Sequence, residues 1–372
     1  KQLALPAPGD VGSTNSFPVT MVLSPDGHYA VLLNDGHGTQ ETLGHQSIAV
    51  LNLANNQISD FPDARFPEDA HQSYFIGLAF SSDGKHLYAS VGSLTDPTGA
   101  RAGNTGNGIA VYSFAQGKVA PERFIPIPPQ PLHSGKKLAV GLTAPLHTAI
   151  PYPAGMAMIS EGGRDKLLIA NNLADNVVLL DVASGKILRT FDLTTNDLVP
   201  SSFPYTVIAT RDGRRAWCSL WNASQVAELD LGSGTVTGWI KVKQPQDPLA
   251  PGSHPTAMLL SPDEKTLYVA LSNLDQVAEV STSDGTVAAF LSTTSPSQKF
   301  SGTYPTALAQ SADAKYLFAA TSSLDAVAVF DTSAATPGSN SQAQPAMGFI
   351  PTDWYPSALS VHTGDLLHAR VS

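Results

Sequence analysis

The sequence holds one cysteine, Cys218, in 372 residues, so no disulfide framework within the chain can staple the fold, and burial of apolar surface must hold it together. Charge is also scarce: charged residues make up 14% of the chain against 42% hydrophobic, which excludes long solvated helices laced with ion pairs. What charge there is carries a formal excess of −10, so the average field repels phosphate backbones and anionic headgroups, and nucleic acid is not an expected partner. No run of about 18 apolar residues occurs, so no membrane insertion is expected. The opening Lys1-Gln2-Leu3-Ala4-Leu5 is too short for a secretory signal, and the chain reads as already trimmed. Low charge with abundant Ser, Thr, Asn, Gly and Pro points to the periplasm or the outside of a bacterial cell.

Signatures of local chemistry are missing too. The ten histidines, His28, His37, His45, His71, His86, His133, His147, His254, His362 and His368, show no His-x-His or His-Glu-x-x-His spacing, and there is no Cys-x-x-Cys pair. A metal assembled across distant segments stays open, with His71 beside Asp69 or Glu68 as its candidates, so the metal is unknown. No other cofactor is expected. There is no Gly-x-Ser-x-Gly elbow, no phosphate-cradling glycine loop and no Asp-x-Asp-x-Asp-Gly calcium loop. The glycines of Gly103-Asn104-Thr105-Gly106-Asn107-Gly108 sit at the wrong offsets for phosphate, and the segment reads as a flexible tip. Cys218 lies in Ala216-Trp217-Cys218-Ser219-Leu220, where apolar neighbours predict a buried, inert thiol. No catalytic residue is assigned.

What the chain has in plenty is glycine and proline, 30 and 28 residues, the profile of many short strands joined by tight turns. A unit of about 50 residues recurs. It opens with an aromatic residue or His, usually before Pro: Phe17-Pro18, Tyr74-Phe75, Tyr152-Pro153, Phe203-Pro204, His254-Pro255, Tyr304-Pro305 and Tyr355-Pro356. From Pro153 the prolines fall 51, 51, 50 and 51 residues apart. Turns follow at Ser24-Pro25-Asp26-Gly27, Ser81-Ser82-Asp83-Gly84, Thr210-Arg211-Asp212-Gly213, Ser261-Pro262-Asp263-Glu264 and Ser311-Ala312-Asp313-Ala314, where Asp and Gly tolerate the positive φ of a tight hairpin.

Second strands such as Leu167-Leu168-Ile169-Ala170 and Leu267-Tyr268-Val269-Ala270 are apolar on both faces and must be covered on both sides. Third strands such as Val177-Val178-Leu179-Leu180-Asp181 and Val327-Ala328-Val329-Phe330-Asp331 begin to alternate. Four strands per unit, the middle pair sandwiched between neighbours, predict an all-β seven-bladed β-propeller of four-stranded antiparallel blades, one domain over 1–372. Openings fall near 17, 74, 152, 203, 254, 304 and 355. The seventh unit stops after two strands, so the last blade is expected to be completed by the N-terminal segment Gln2-Leu3-Ala4-Leu5-Pro6 and by chain beyond Ser372 or a partner. Long loops at 95–107, 126–151 and 333–346 break the period and are expected to be functional or mobile.

The unit Pro255-Thr256-Ala257-Met258-Leu259-Leu260-Ser261-Pro262-Asp263, followed by Leu267-Tyr268-Val269-Ala270, resembles the YVTN-type propeller repeat. Three further stretches, Leu33-Asn34-Asp35-Gly36-His37-Gly38, Ile169-Ala170-Asn171-Asn172-Leu173-Ala174-Asp175 and Gly348-Phe349-Ile350-Pro351-Thr352-Asp353-Trp354-Tyr355-Pro356, resemble bacterial proteins in which a YncE-like propeller precedes an alkaline-phosphatase-like phosphoesterase domain. The resemblance implies a binding or scaffolding propeller that belongs to, or partners, a phosphoesterase domain or another protein. No residue here corresponds to the nucleophile or metal cluster of such a hydrolase.

First strands of a propeller line its centre, so the openings should ring one mouth. Phe17, Tyr74, Tyr152, Phe203, His254, Tyr304 and Tyr355, with Trp354, form a candidate aromatic collar for a small organic ligand. The bland alternative has them packing on their prolines. Loops after the second strands add Asn34, Asp35, His37, Asn171, Asn172, Asp175, Trp221, Asn222, Asn273, Asp275 and Asp325, which either hydrogen-bond a ligand or close local Asx turns. A second functional reading is a channel-mouth hydrolase of lactonase type, or a propeller that binds a small molecule.

Overall fold

The computed structural model describes residues 9, 12–14, 17–36, 45–67, 71–245, 250–296, 298–333, 343–352, 354–363 and 365–370. Among them, six antiparallel sheets have strand order equal to chain order. Blade 1 takes Pro18–Leu23, Tyr29–Asn34, Ser47–Asn52 and Gln57–Pro62; blade 2 takes Ser73–Phe80, His86–Gly92, Gly108–Ala115 and Lys118–Pro126. Blade 3 is Pro153–Glu161, Arg164–Asn171, Asn176–Asp181 and Ile187–Asp192, and blade 4 is Pro204–Ala209, Arg215–Leu220, Gln225–Asp230 and Thr235–Lys241. Blade 5 is Pro255–Leu260, Thr266–Leu271, Gln276–Ser281 and Val287–Ser292, with Gln344–Pro345 added in parallel at its outer edge. Blade 6 is Pro305–Gln310, Tyr316–Thr321, Ala326–Asp331 and Gly348–Pro351.

The expected seventh four-stranded blade is corrected. After Tyr355 the chain forms a two-stranded hairpin, Pro356–His362 with Asp365–Arg370, so the described four-strand blades number six. The segment expected to finish that blade, residues 2–6, lies outside the described residues.

The chain divides into two compact units, one of Gly12–Cys218 with Ala227–Thr237, the other including Ser219–Val226 and Gly238–Ser372. In the first unit, Pro18–Leu23 packs on Ser73–Phe80, which packs on Pro153–Glu161, which packs on Pro204–Ala209. In the second, Pro255–Leu260 packs on Pro305–Gln310 and that on Pro356–His362. First strand against first strand is the stacking a propeller requires. Glycine permits the closest approaches: a Cβ on Gly77 would lie 2.3 Å from the Ala154 carbonyl oxygen, and one on Gly155 2.7 Å from Thr206 Cα.

Apolar cores form between blades rather than within them, as two-faced strands demand. Val31, Leu33, Ile48 and Val50 of blade 1 cluster with Leu87, Ala89, Val91 and Tyr112 of blade 2, and Tyr88, Ile109 and Val111 of blade 2 with Leu167, Ile169, Val178 and Leu180 of blade 3. Tyr268, Ala270 and Val277 of blade 5 cluster with Leu317, Ala319 and Phe330 of blade 6.

The Ser-x-Asp turns set each register. Asp26 Oδ1 accepts the Ser24 hydroxyl at 2.5 Å and the His28 N–H at 3.0 Å, and the Ser24 Oγ accepts the Tyr29 N–H at 3.0 Å. The arrangement repeats at Ser81 and Asp83, Thr210 and Asp212, Ser261 and Asp263, and Ser311 and Asp313. These donors hold the five turn carboxyls below the ordinary carboxylate range, the hydroxyl first and the backbone N–H second. The fourth turn residue is left-handed whatever its identity: Gly27, Gly84 and Gly213 have φ of 72°, 69° and 66°, and Glu264 and Ala314 both 59°.

Candidate functional site

Five of the openings share one backbone conformation. Phe17, Tyr152, Phe203, His254 and Tyr304 are left-handed, with φ of 48°, 46°, 51°, 48° and 55°. Blade 2 differs from the sequence reading. There His71 has the left-handed φ, 49°, and its carbonyl accepts the Ser93 hydroxyl at 2.8 Å.

Tyr74 is instead a core residue, 1% exposed. Its hydroxyl lies 2.5 Å from that of Tyr112, which donates to Asp63 Oδ2 at 2.6 Å, and Arg65 donates to both oxygens of the same carboxylate. Burial, then the Asp63 charge, pushes the Tyr74 phenol up. The physical reason for the shift of opening is a longer first strand, with a register irregularity between Tyr74 and Leu78.

The residue before a third strand reaches toward the next opening. Asp175 accepts the N–H and hydroxyl of Ser201 at 2.5 and 2.6 Å, those of Ser202 at 3.0 and 2.9 Å, and the Phe203 N–H at 3.0 Å. Asp275 accepts the Gly302 N–H at 2.7 Å, the Thr303 N–H at 2.7 Å and hydroxyl at 3.0 Å, and the Tyr304 N–H at 3.3 Å. Asp325 accepts the Tyr355 N–H at 2.9 Å. Gln46 serves blade 2, accepting the Tyr74 N–H at 2.7 Å and donating to the Gln72 carbonyl at 2.7 Å. Each clasp ties one blade to the next opening. For Asp175, burial outweighs its donors and holds the carboxyl above the ordinary range.

The polar loop residues bond both across blades and within them. Asn34 is fully buried, exchanging hydrogen bonds with Thr14 and donating to Ser47 at 3.0 Å. Asn171, also fully buried, donates to Asn176 at 2.8 Å, and Asn172 donates to the Pro204 carbonyl at 3.0 Å. Asn273 donates to the Gly252 carbonyl at 2.9 Å. Asn222 is exposed and Asp35 half-buried.

Each unit carries its own aromatic group. In the first, Phe75 meets Tyr152 and Tyr205 edge-on, with centroids 5.5 and 6.2 Å apart, and burial raises the Tyr152 phenol. Tyr205 escaped the sequence reading; its one signal was an aromatic residue directly after Phe203-Pro204. Phe17 and Phe203 are half-buried. In the second unit, Trp221 stacks on His254 with centroids 3.9 Å apart and planes 22° from parallel. Burial depresses the His254 pKa, so its ring is uncharged at neutral pH. Tyr304 and Tyr355 are half-buried, burial and then Tyr304 raising the Tyr355 phenol, and Trp354 is 64% exposed.

Away from the openings, a cleft of about 540 Å³ separates the hairpin turns of blades 2 and 3. Asp83, His86, Glu122, Arg123, Arg164 and Asp165 bring both charge signs to it; His86 Nε2 lies 3.3 Å from Glu122, and Asp165 accepts the Ser82 N–H at 2.9 Å. Burial, with Asp165 next, pushes the Tyr88 phenol to about 12.

Among the described residues no three His, Cys, Asp or Glu side chains group to hold a metal; Asp69, Glu68 and His37 lie outside them. Cys218 is fully buried, and burial pushes its thiol up. The loop over 95–107 is pinned rather than a free tip: Asp96 accepts the Ala100 and Arg101 N–H groups and the Asn104 amide, and Gln72 Oε1 accepts the Thr105 and Gly106 N–H groups. The 126–151 loop packs Leu132 and Leu138 on Ala149, Ala174 and Val199. Of 333–346, residues 334–342 lie outside the described set.

Repeating blades, inter-blade cores and stacked first strands define an all-β propeller of four-stranded antiparallel blades. Solved structures agree: the chain is similar to virginiamycin B lyase from Staphylococcus aureus, with TM-score 0.61 and 15% identity over 96% of this chain and 93% of that one. It is similar also to the periplasmic gluconolactonase of Pseudomonas aeruginosa, with TM-score 0.62 and 18% identity over 95% and 89%, and to the WD40 repeats of RRP9, with TM-score 0.63 and 13% identity over 97% and 89%. No family model and no curated protein matches the chain. At these identities the likeness is one of fold. No helix among the described residues is long and apolar enough to cross a membrane.

Proposed function

We propose that this chain is a small-molecule-binding propeller whose opening ends take an uncharged, sugar-like ring such as a lactone. The observation that carries the reading is the Trp221 and His254 stack, an aromatic platform with the exposed amide of Asn222 next to it in the chain. Aromatic faces suit the C–H surface of a sugar ring, and neighbouring amides suit its hydroxyls. The likeness to a gluconolactonase supports this class of ligand over a purely scaffolding role.

Hydrolysis is a second reading, favoured by His254: an imidazole kept neutral by burial is a base available to activate water. Export to the periplasm belongs to the same proposal. A phosphoesterase partner rests on the sequence resemblance alone.

The test is titration with glucono-δ-lactone and with gluconate, followed by tryptophan fluorescence, alongside a pH-stat assay of lactone opening. Saturable quenching that Trp221→Ala removes is the expected result. A chain that neither binds nor opens lactones would refute both readings.

A further inference from the structure

Resting on that ligand site, we propose that the opening at Ser253 and His254 is a gate, poised to lift and let a ring in against Trp221. The clasp that ties the openings at Phe203 and Tyr304 is incomplete here. Ser224 occupies the place of Asp175 and Asp275 and shares their left-handed backbone, with φ of 54° against 49° and 53°. Among the described residues its short side chain accepts the Ser253 N–H alone, at 2.9 Å.

The Ser253 hydroxyl, on a residue 1% exposed, has no partner among the described residues. At the matching places Ser202 and Thr303 donate their hydroxyls to Asp175 and Asp275. Likewise the Phe203 and Tyr304 N–H groups reach a carboxylate, whereas among the described residues no carboxylate accepts the His254 N–H, Ser224 standing in the aspartate's place. A buried donor without an acceptor favours any state that returns it to water.

A second, separate feature lies next to it. Lys243 has φ of 140°, a conformation side chains other than glycine's rarely adopt, whereas its counterparts Thr194 and Thr294 are not left-handed. Beyond it, the Gln244 amide donates to the Ser224 carbonyl at 2.6 Å and, more weakly, to that of Ala223 at 3.3 Å. The loop carrying Trp221 is thus held through its own backbone. The segment carrying His254 keeps the bonds to its carbonyls, from the Ser272 N–H to His254 at 3.1 Å, the Asn273 N–H to Ser253 at 3.3 Å and the Asn273 amide to Gly252 at 2.9 Å. On its N–H side it has the Ser224 hydroxyl in place of a carboxylate. Lifting residues 252–254 hydrates Ser253 and His254 and parts the stacked rings, exposing the Trp221 face. Segments that open for ligands are drawn from the less stable parts of a fold.

The experiment is single-residue amide exchange on the full chain. The His254 amide is expected to exchange about tenfold or more faster than those of Phe203 and Tyr304. Ser224→Asp supplies the missing carboxylate and should slow His254 to their level while leaving Phe203 and Tyr304 unchanged; Ser224→Ala should give no such slowing. Equal exchange at the three wild-type openings overturns the gate, and so does a folded Ser224→Asp that fails to slow His254. If that variant does not fold, the wild-type comparison decides alone. In a second arm, stopped-flow fluorescence with glucono-δ-lactone should show slower association for Ser224→Asp. A wild-type chain that binds no lactone sinks the proposed function and leaves the exchange result to judge the gate.

Discussion

Asp175 reaches across to the next blade and takes both donors of Ser201, the backbone N–H at 2.5 Å and the hydroxyl at 2.6 Å. With Ser202 and Phe203 it receives five donors in all. Asp175→Ala strands them in a buried place, and a loss of about 3–5 kcal/mol is expected. Urea unfolding measures it; a loss below about 1 kcal/mol would mean that the first-strand packing, not the clasp, fixes the opening.

The blades were legible because their signals are local. Aromatic-Pro openings, Ser-x-Asp turns and two-faced second strands each lie within a few residues, and their recurrence reappears in the blades of the structure. The clasps were not, since Asp175 and Asp275 find their partners 26–29 residues downstream. A trace was present: Gln46, Asn107, Asp175, Ser224, Asp275 and Asp325 all precede a third strand, and all are polar. The displaced opening of blade 2 was hidden for a different reason. Tyr74-Phe75 imitates the aromatic-Pro pair, and only the lengthened strand shows His71 to be the turning residue.

Gly77→Ala and Gly155→Ala place a methyl against backbone of the adjoining first strand, at 2.3 and 2.7 Å. Backbone cannot step aside as a side-chain tip can. Each variant is expected to lose about 3 kcal/mol, read as a lower urea midpoint. Wild-type stability in both would show that the first strands can separate freely.

Glu264 and Ala314 hold the left-handed place that glycine holds in blades 1, 2 and 4. Substituting Gly at either position removes the Cβ conflict and adds some unfolded-state entropy. The balance should stabilise the fold by about 0.5–1 kcal/mol each. Thermal melts of the two single variants and the double check the sign and the additivity.

Two carboxyl groups should respond to pH in opposite senses. Asp263 sits below the ordinary range through its Ser261 and Lys265 bonds, so its stabilisation is present above about pH 4 and is lost as pH falls through its folded value. Asp263→Asn should therefore cost stability at neutral pH and flatten the acid limb of Tm against pH.

Glu279 sits above its ordinary range because burial penalises its charge. Its counterpart in blade 4, Glu228, has Arg215 at 2.7 Å, whereas blade 5 has Thr266 in that place. For Glu279 the sign reverses: stability is present below the ordinary carboxyl value and is lost as pH rises through the raised one. Glu279→Gln should raise Tm at pH 7 and leave it unchanged near pH 4. A variant destabilised at pH 7 would mean that the ionised carboxylate has a partner that the blade geometry does not provide.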